Sequence, residues 1–144
     1  KINVLAHRIV TNGKLNMLHL HMHSENFYLH FFNLLFNFKL ENLNQSLQNV
    51  EAIDLIDNTN KIVIQVSSTN TKHKIESALE KDIIKQYSNY TFKFISIAKD
   101  ATTLRTKNYI NINSISFTPS GDIYDTTSIL KIISALNIDK QKEV

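Results

Sequence analysis

Apolar positions three and four residues apart open the chain. Ile2, Leu5 and Ile9 predict a helix running to about Leu18, with Gly13 weakening it by only about 1 kcal/mol relative to Ala. "LHLHMH" then alternates and reads as a loop or frayed end. "SENFYLHFFNLLFNF" predicts the clearest helix. Ser24 would cap it, Glu25 suits the positive end of its dipole, and Phe27, Phe31, Leu34, Leu35 and Phe38 form a wide apolar face. "KLENLNQSLQN" reads as a polar connection. Two β-branched runs follow, over residues 50–56 and 61–67, with "DNTN" as the turn between them. A helix over 71–87 would bury Ile75, Leu79, Ile83 and Ile84, capped by Asn70 or Thr71. "TFKFISIA" predicts a central strand and "SISF" a short one, while "ATTLRTKNYININS" is ambiguous. "TPSGD" breaks the chain before a last helix, capped by Asp125 or Thr126, that carries Ile129, Ile132, Ile133 and Leu136. The order α-α-β-β-α-β-β-α predicts an α/β fold: a small mixed sheet flanked by helices.

Composition narrows the class. A chain of 144 residues is about one domain and long enough for a real core. With 42% hydrophobic and 20% charged residues it is an ordinary globule rather than a disordered chain. Two Gly and one Pro imply few, short loops. Absent cysteine excludes a disulfide framework and a zinc ribbon. No apolar run is long enough to span a bilayer, and without a signal peptide cytoplasm is the expected compartment. Net charge of +3 permits an anionic partner without demanding one. The start at Lys1 suggests a domain or a trimmed chain, residues 1–144 as one unit, and the charged tail "DKQKEV" is expected to lead into further sequence.

Candidate chemistry lies in "AIDLIDNTNKIVIQVSSTN". If Asp57 pairs with Asn60 across the turn, Asp54 stands opposite Val63 and shares a face with Gln65 and Ser67. Gln65 would be a diagonal neighbour of Asp54, about 7–8 Å away by backbone. From there both side chains could share one cation. Mg²⁺ or Mn²⁺ would suit Asp54, the Gln65 amide oxygen and the Val66 carbonyl, with Glu25 as a second carboxylate. Lys72, His73 and Lys74 crowd the start of the next helix, where the dipole disfavours cations. A phosphate there would resolve the conflict, held by Lys72, Lys74 and the hydroxyls of Ser67, Ser68 and Thr69. A cation-binding carboxylate beside a phosphate-binding helix start suggests metal-assisted phosphodiester hydrolysis.

"HSENFYLHFFNLLFNFKLENLN", "AIDLID", "KIVIQVSSTNTKHKIESALEK" and "FKFISIAKD" resemble the bacterial SMEK domain, over about residues 15–136. The resemblance implies an N-terminal module with further C-terminal domains. It also implies kinship with the restriction-endonuclease-like PD-(D/E)XK fold: a helix bearing an acid, a strand with an Asp, then a strand with D/E-X-K and a helix. On that pattern Glu25 matches the helix acid, Asp54 the strand aspartate and Gln65 the D/E position. Ser67 departs from it, standing where the lysine that orients water belongs. Lys74, or Lys72, would have to supply that lysine from the following helix.

Each residue has a structural alternative. Asp54 could be a satisfied polar group at a sheet end, Gln65 an internal hydrogen-bonder, Glu25 a plain first-turn acid, and Lys74 a solvated or paired cation. Asp57 reads as a turn residue. His19, His21 and His23 would share a face on a strand and could bind a transition metal, or form a solvated edge. The stripe Phe27, Phe31, Leu35 and Phe38 reads as core rather than a base-stacking surface. Ser67 and Ser68 have no base at a readable spacing, which argues against a serine hydrolase. The expected function is a Mg²⁺- or Mn²⁺-dependent nuclease acting on DNA, an effector in prokaryotic defence. The alternatives are an inactive nuclease-like module that binds nucleic acid or protein, and a homo-oligomerisation module acting through the first two helices.

Overall fold

Helix α1 (Met17–Phe36) contains no Gly or Pro and continues straight through Ser24. The computed structural model describes residues 17–43 and 52–135, so the helix expected over residues 2–18 lies almost wholly outside the described residues. "LHLHMH" is helical rather than a loop, and Ser24 is not a cap. The array His19, His21, His23 therefore has helical backbone, on which a two-residue spacing does not share one face. The face facing the core also differs from the expected stripe. Tyr28, Phe31 and Phe32 are buried, Phe27 and Leu35 only partly, and Leu34 is exposed. Phe38 lies past the helix end, which comes at Asn37, in the left-handed region at φ 58°. Asn33 then pins the exit: its Oδ1 accepts from Leu40 N–H at 2.7 Å.

Five strands follow in the sheet order β1-β2-β3-β4-β5: β1 (Glu41–Asn42), β2 (Leu55–Asp57), β3 (Ile62–Ser67), β4 (Thr91–Ser96) and β5 (Ile123–Tyr124). β1, β2 and β3 run antiparallel, whereas β3, β4 and β5 are parallel. β1 falls in the stretch expected to be a plain connection. The first expected strand shortens to β2, leaving Asp54 just outside it, and residues 50 and 51 lie outside the described residues.

The hairpin register differs from expectation by two residues. Asp57 pairs with Ile62, not Asn60. The cause is the Asp57 side chain, which accepts from Thr59 N–H (2.9 Å) and Asn60 N–H (2.8 Å) and so withdraws Asn60 from the ladder. Lys61, at φ 59°, then closes the loop. A shift of two keeps the paired side chains of β2 and β3 on their expected faces, because sheet faces alternate with period two.

After β3, α2 (Lys72–Leu79) is capped by Thr71, whose hydroxyl accepts from Lys74 N–H. The helix expected to reach residue 87 breaks at Lys81, whose backbone is extended, and resumes as a 3₁₀ turn (Asp82–Tyr87) that buries Ile84. Asn113 Nδ2 donates to Leu79 O and Lys81 O, carbonyls that the break leaves open. The ambiguous segment holds a second 3₁₀ turn (Leu104–Thr106). The expected "SISF" strand reduces to a single bridge between Ser116 and Thr91. "TPSGD" contains one helical turn, α3 (Pro119–Asp122), and the place beside β4 goes to β5. α4 (Thr126–Ser134) has Asp125 at its N-cap in a reciprocal capping box with Ser128 and buries Ile129 and Ile133.

The sheet separates two apolar layers. Tyr28, Phe31 and Phe32 of α1 and Ile129 and Ile133 of α4 cover Leu55, Ile64, Val66 and Ile95. Ile75, Ala78 and Leu79 of α2 and Ile84 cover Ile56, Val63, Phe92 and Phe94 on the other side. The architecture is α/β, with a mixed sheet between helices. Among the described residues no helix is long and apolar enough to cross a membrane.

Candidate metal and phosphate site

Strand alternation breaks at Asp54. Ile53 and Ile56 enter the α2-side layer while Leu55 enters the α1 side, so residues 53 and 55 do not share a face as they would in a regular strand. Asp54 N–H donates to Ile64 O at 2.8 Å although Leu55 is already the register partner of Ile64. This two-against-one pairing is a bulge, a device that re-aims a side chain at a sheet end. The Asp54 carboxylate lies along the ladder, its Oδ2 accepting from Val66 N–H at 2.8 Å. Ala52, just upstream, is held at φ 75°, a left-handed conformation that costs about 1–2 kcal/mol in a residue with a Cβ.

Gln65 immediately precedes Val66. Ile64 and Val66 face α1 and α4, so Gln65 faces the α2 side with Val63. The residue is only 6% exposed, and its Oε1 is buried with no hydrogen-bond donor. Buried acceptors are rarely left in this state, because the lost hydration costs about 1–3 kcal/mol. Asp54 is half-buried, whereas the Gln65 oxygen is enclosed, and with alternation broken at Asp54 the ladder does not hold the two on one face as the expected register did. Oxygen donors of this kind, one carboxylate and one amide, suit a hard divalent cation.

Glu25 is not at a helix start. It lies inside α1 and is 8% exposed, which removes the dipole explanation for it. Its Oε1 accepts from Asn42 Nδ2 at 3.3 Å, and Asn42 is the β1 partner of Leu55, next to Asp54. Glu25 thus stands on the α1 side of the sheet, opposite the face that Gln65 presents to α2, which parts it from the expected shared cation shell. Among the described residues no three His, Asp or Glu side chains form a metal shell.

The phosphate candidates divide. Ser67 is 3% exposed and its hydroxyl is committed to the loop, donating to Thr69 O at 2.9 Å and accepting from Thr69 N–H at 3.0 Å. Ser68 is half-buried and Thr69 exposed. Asn70 ties this loop to the next one by donating to Asp100 O at 2.7 Å. Lys72 and His73 are exposed. Lys74 is half-buried and lies one turn before Ala78, at the edge of the buried face of α2 formed by Ile75, Ala78 and Leu79. Asp57 is purely structural. It is fully buried and accepts from Lys39 N–H, Thr59 N–H, Asn60 N–H and Asn60 Nδ2. Burial pushes its pKa up, but these hydrogen bonds outweigh it and hold the carboxyl below the ordinary range.

Nothing local announces the ion pair between Arg105 and the buried Asp125, beside β5. Asp125 is 1% exposed, and Arg105 Nη2 lies 2.9 Å from its Oδ2, close enough for an ion pair though not aligned as a hydrogen bond. Ala101 N–H also donates to that carboxylate, at 2.7 Å. Burial raises the Asp125 pKa, but donors at Ala101 and Ser128, the Asp100 side chain and the Arg105 charge bring it down to about 2. Arg105 reads locally as one more basic residue in a polar stretch; only tertiary packing pairs it.

A family model described as SMEK domain matches residues 1–134. No curated protein and no solved structure matches the chain.

Proposed function

From the premise that the chain belongs to the SMEK domain family, we propose that it is a divalent-cation-dependent nuclease-like domain acting on DNA, an effector module of a prokaryotic defence protein with restriction-endonuclease-like ancestry. The observation that carries this reading is the Gln65 Oε1 atom, a buried acceptor without a donor, one residue from the N–H that orients the Asp54 carboxylate.

Asp54 and Gln65 would hold Mg²⁺ or Mn²⁺, with Glu25 contributing negative charge from the α1 side. The ion, when bound, would lower the pKa of water and offset charge at the scissile phosphate. The protein's own part is positioning. The bulge fixes the Asp54 carboxylate, β3 presents Gln65, and the start of α2 offers N–H groups and Lys72 to a phosphate. Lys74, from the edge of the buried face of α2, would orient the attacking water, the role that Ser67 cannot take with its hydroxyl committed to Thr69.

That same serine favours one other reading, a module that binds DNA without cutting it. Plasmid incubated with the protein and Mg²⁺ or Mn²⁺ separates the two. Cutting abolished by chelator, and weakened about 100-fold or more by Asp54→Asn, supports the nuclease reading. Salt-dependent binding with no cutting supports the second. Neither cutting nor binding would sink both.

A further inference from the structure

The stretch that the sequence leaves ambiguous builds a pocket of about 320 Å³ between the Leu104–Thr106 turn and α3, within the range of small-molecule sites. Arg105, Lys107, Tyr109, Asn111, Phe117 and Ser120 are among its lining residues. The loop is irregular but clamped. Ile110 N–H donates to Glu76 Oε2 (2.7 Å), Tyr109 Oη to Leu104 O (2.7 Å) and Arg105 Nε to Ile123 O (2.9 Å).

Four features define what it could accept. The rings of Tyr109 and Phe117 meet edge to face at 5.5 Å and offer aromatic surface. Asn111 donates through Nδ2 to Ile115 O, while its Oδ1 is buried with no donor, so a ligand N–H would complete it. Arg105 is already compensated by Asp125, which leaves exposed Lys107 as the cation for a phosphate. Ile110 and Ile112, on either side of Asn111, are 73% and 72% exposed, so apolar surface flanks the amide. All four DNA bases carry a flat ring and at least one N–H, beside a phosphate.

The pocket is also in reach of the candidate metal site. Gln65 is the register partner of Phe94, and Phe94 of Ile123. Ile123, whose carbonyl accepts from Arg105, is therefore two strand steps from Gln65, about 10 Å across the sheet, with Arg105 one hydrogen bond further. That span is about three stacked nucleotides.

We infer that this pocket takes an unpaired nucleobase of a DNA strand, its ring against Tyr109 and Phe117, an N–H donating to Asn111 Oδ1 and the adjoining phosphate at Lys107. The inference rests on the DNA-acting reading for its choice of ligand. It does not need the cation, so it is tested in chelator, by fluorescence anisotropy with a labelled oligothymidylate and an abasic strand of equal length. The protein should bind the base-bearing strand at least about fivefold more tightly. Ser120→Trp, at an exposed lining position, should remove that preference, and Lys107→Gln should weaken both strands alike. Equal affinity for the two strands, absence of binding, or an unchanged preference in Ser120→Trp would overturn the inference. Cation-dependent cutting alongside equal affinity would overturn it alone and leave the nuclease reading standing.

Discussion

A carbonyl oxygen buried without a donor, as at Gln65, is a stability cost of about 1–3 kcal/mol that the fold carries. Replacing it by Leu removes the orphan at similar volume. In chelator Gln65→Leu should therefore be as stable as wild type or more so in urea unfolding. A purely structural glutamine, hydrogen-bonded in solution, would instead make the variant about 1–3 kcal/mol less stable. Asp54 and Gln65 could be picked out from the sequence because polar residues interrupt apolar β-branched runs. Asp57 stands in a turn-like string and was legible as a turn residue, but its complete burial was not. Nothing local announces that Lys39, eighteen positions earlier, donates to it. The bulge at Asp54 was also hidden, since the sequence suggests regular alternation there.

Elements whose signals are local came through. Thr71 and Asp125 cap α2 and α4 as their positions suggest, and the spacing of Ile129 and Ile133 marks the buried face of α4. Elements that depend on distant partners did not. β1 and β5 are two residues each and exist because β2 and β4 offer them hydrogen bonds. The break after Leu79 was invisible because its open carbonyls are satisfied by Asn113, far along the chain. The cap of α4 also gives a pH prediction. The Asp125 carboxyl falls from an ordinary 3.8 to about 2 in the folded chain. Its contribution, about 2 kcal/mol, is thus fully present above pH 4 and lost as pH falls through about 2. Asp57, also depressed, acts in the same direction. Urea midpoints measured between pH 5 and pH 2 should fall steeply for wild type and less steeply for Asp125→Asn, which lacks that carboxylate. Parallel profiles would contradict the role given to Asp125.

At the scale of the whole molecule, the α/β class and the flanking of the sheet by helices followed from periodicity alone. The two-residue register shift left the faces of β2 and β3 intact, but the bulge at Asp54 lies outside that ladder and breaks the alternation on which its shared face with Gln65 was expected. What periodicity could not supply is how the candidate groups divide between the two sides of the sheet. Glu25 comes from the α1 layer, Gln65 faces the α2 layer, and Asp54 lies just before β2, where alternation breaks. The most direct test of that arrangement is calorimetric titration of Mn²⁺ into the chain and into Asp54→Asn and Gln65→Leu. One site per chain in wild type, lost in both variants, is the expected result. No binding, or binding that both variants retain, would contradict it.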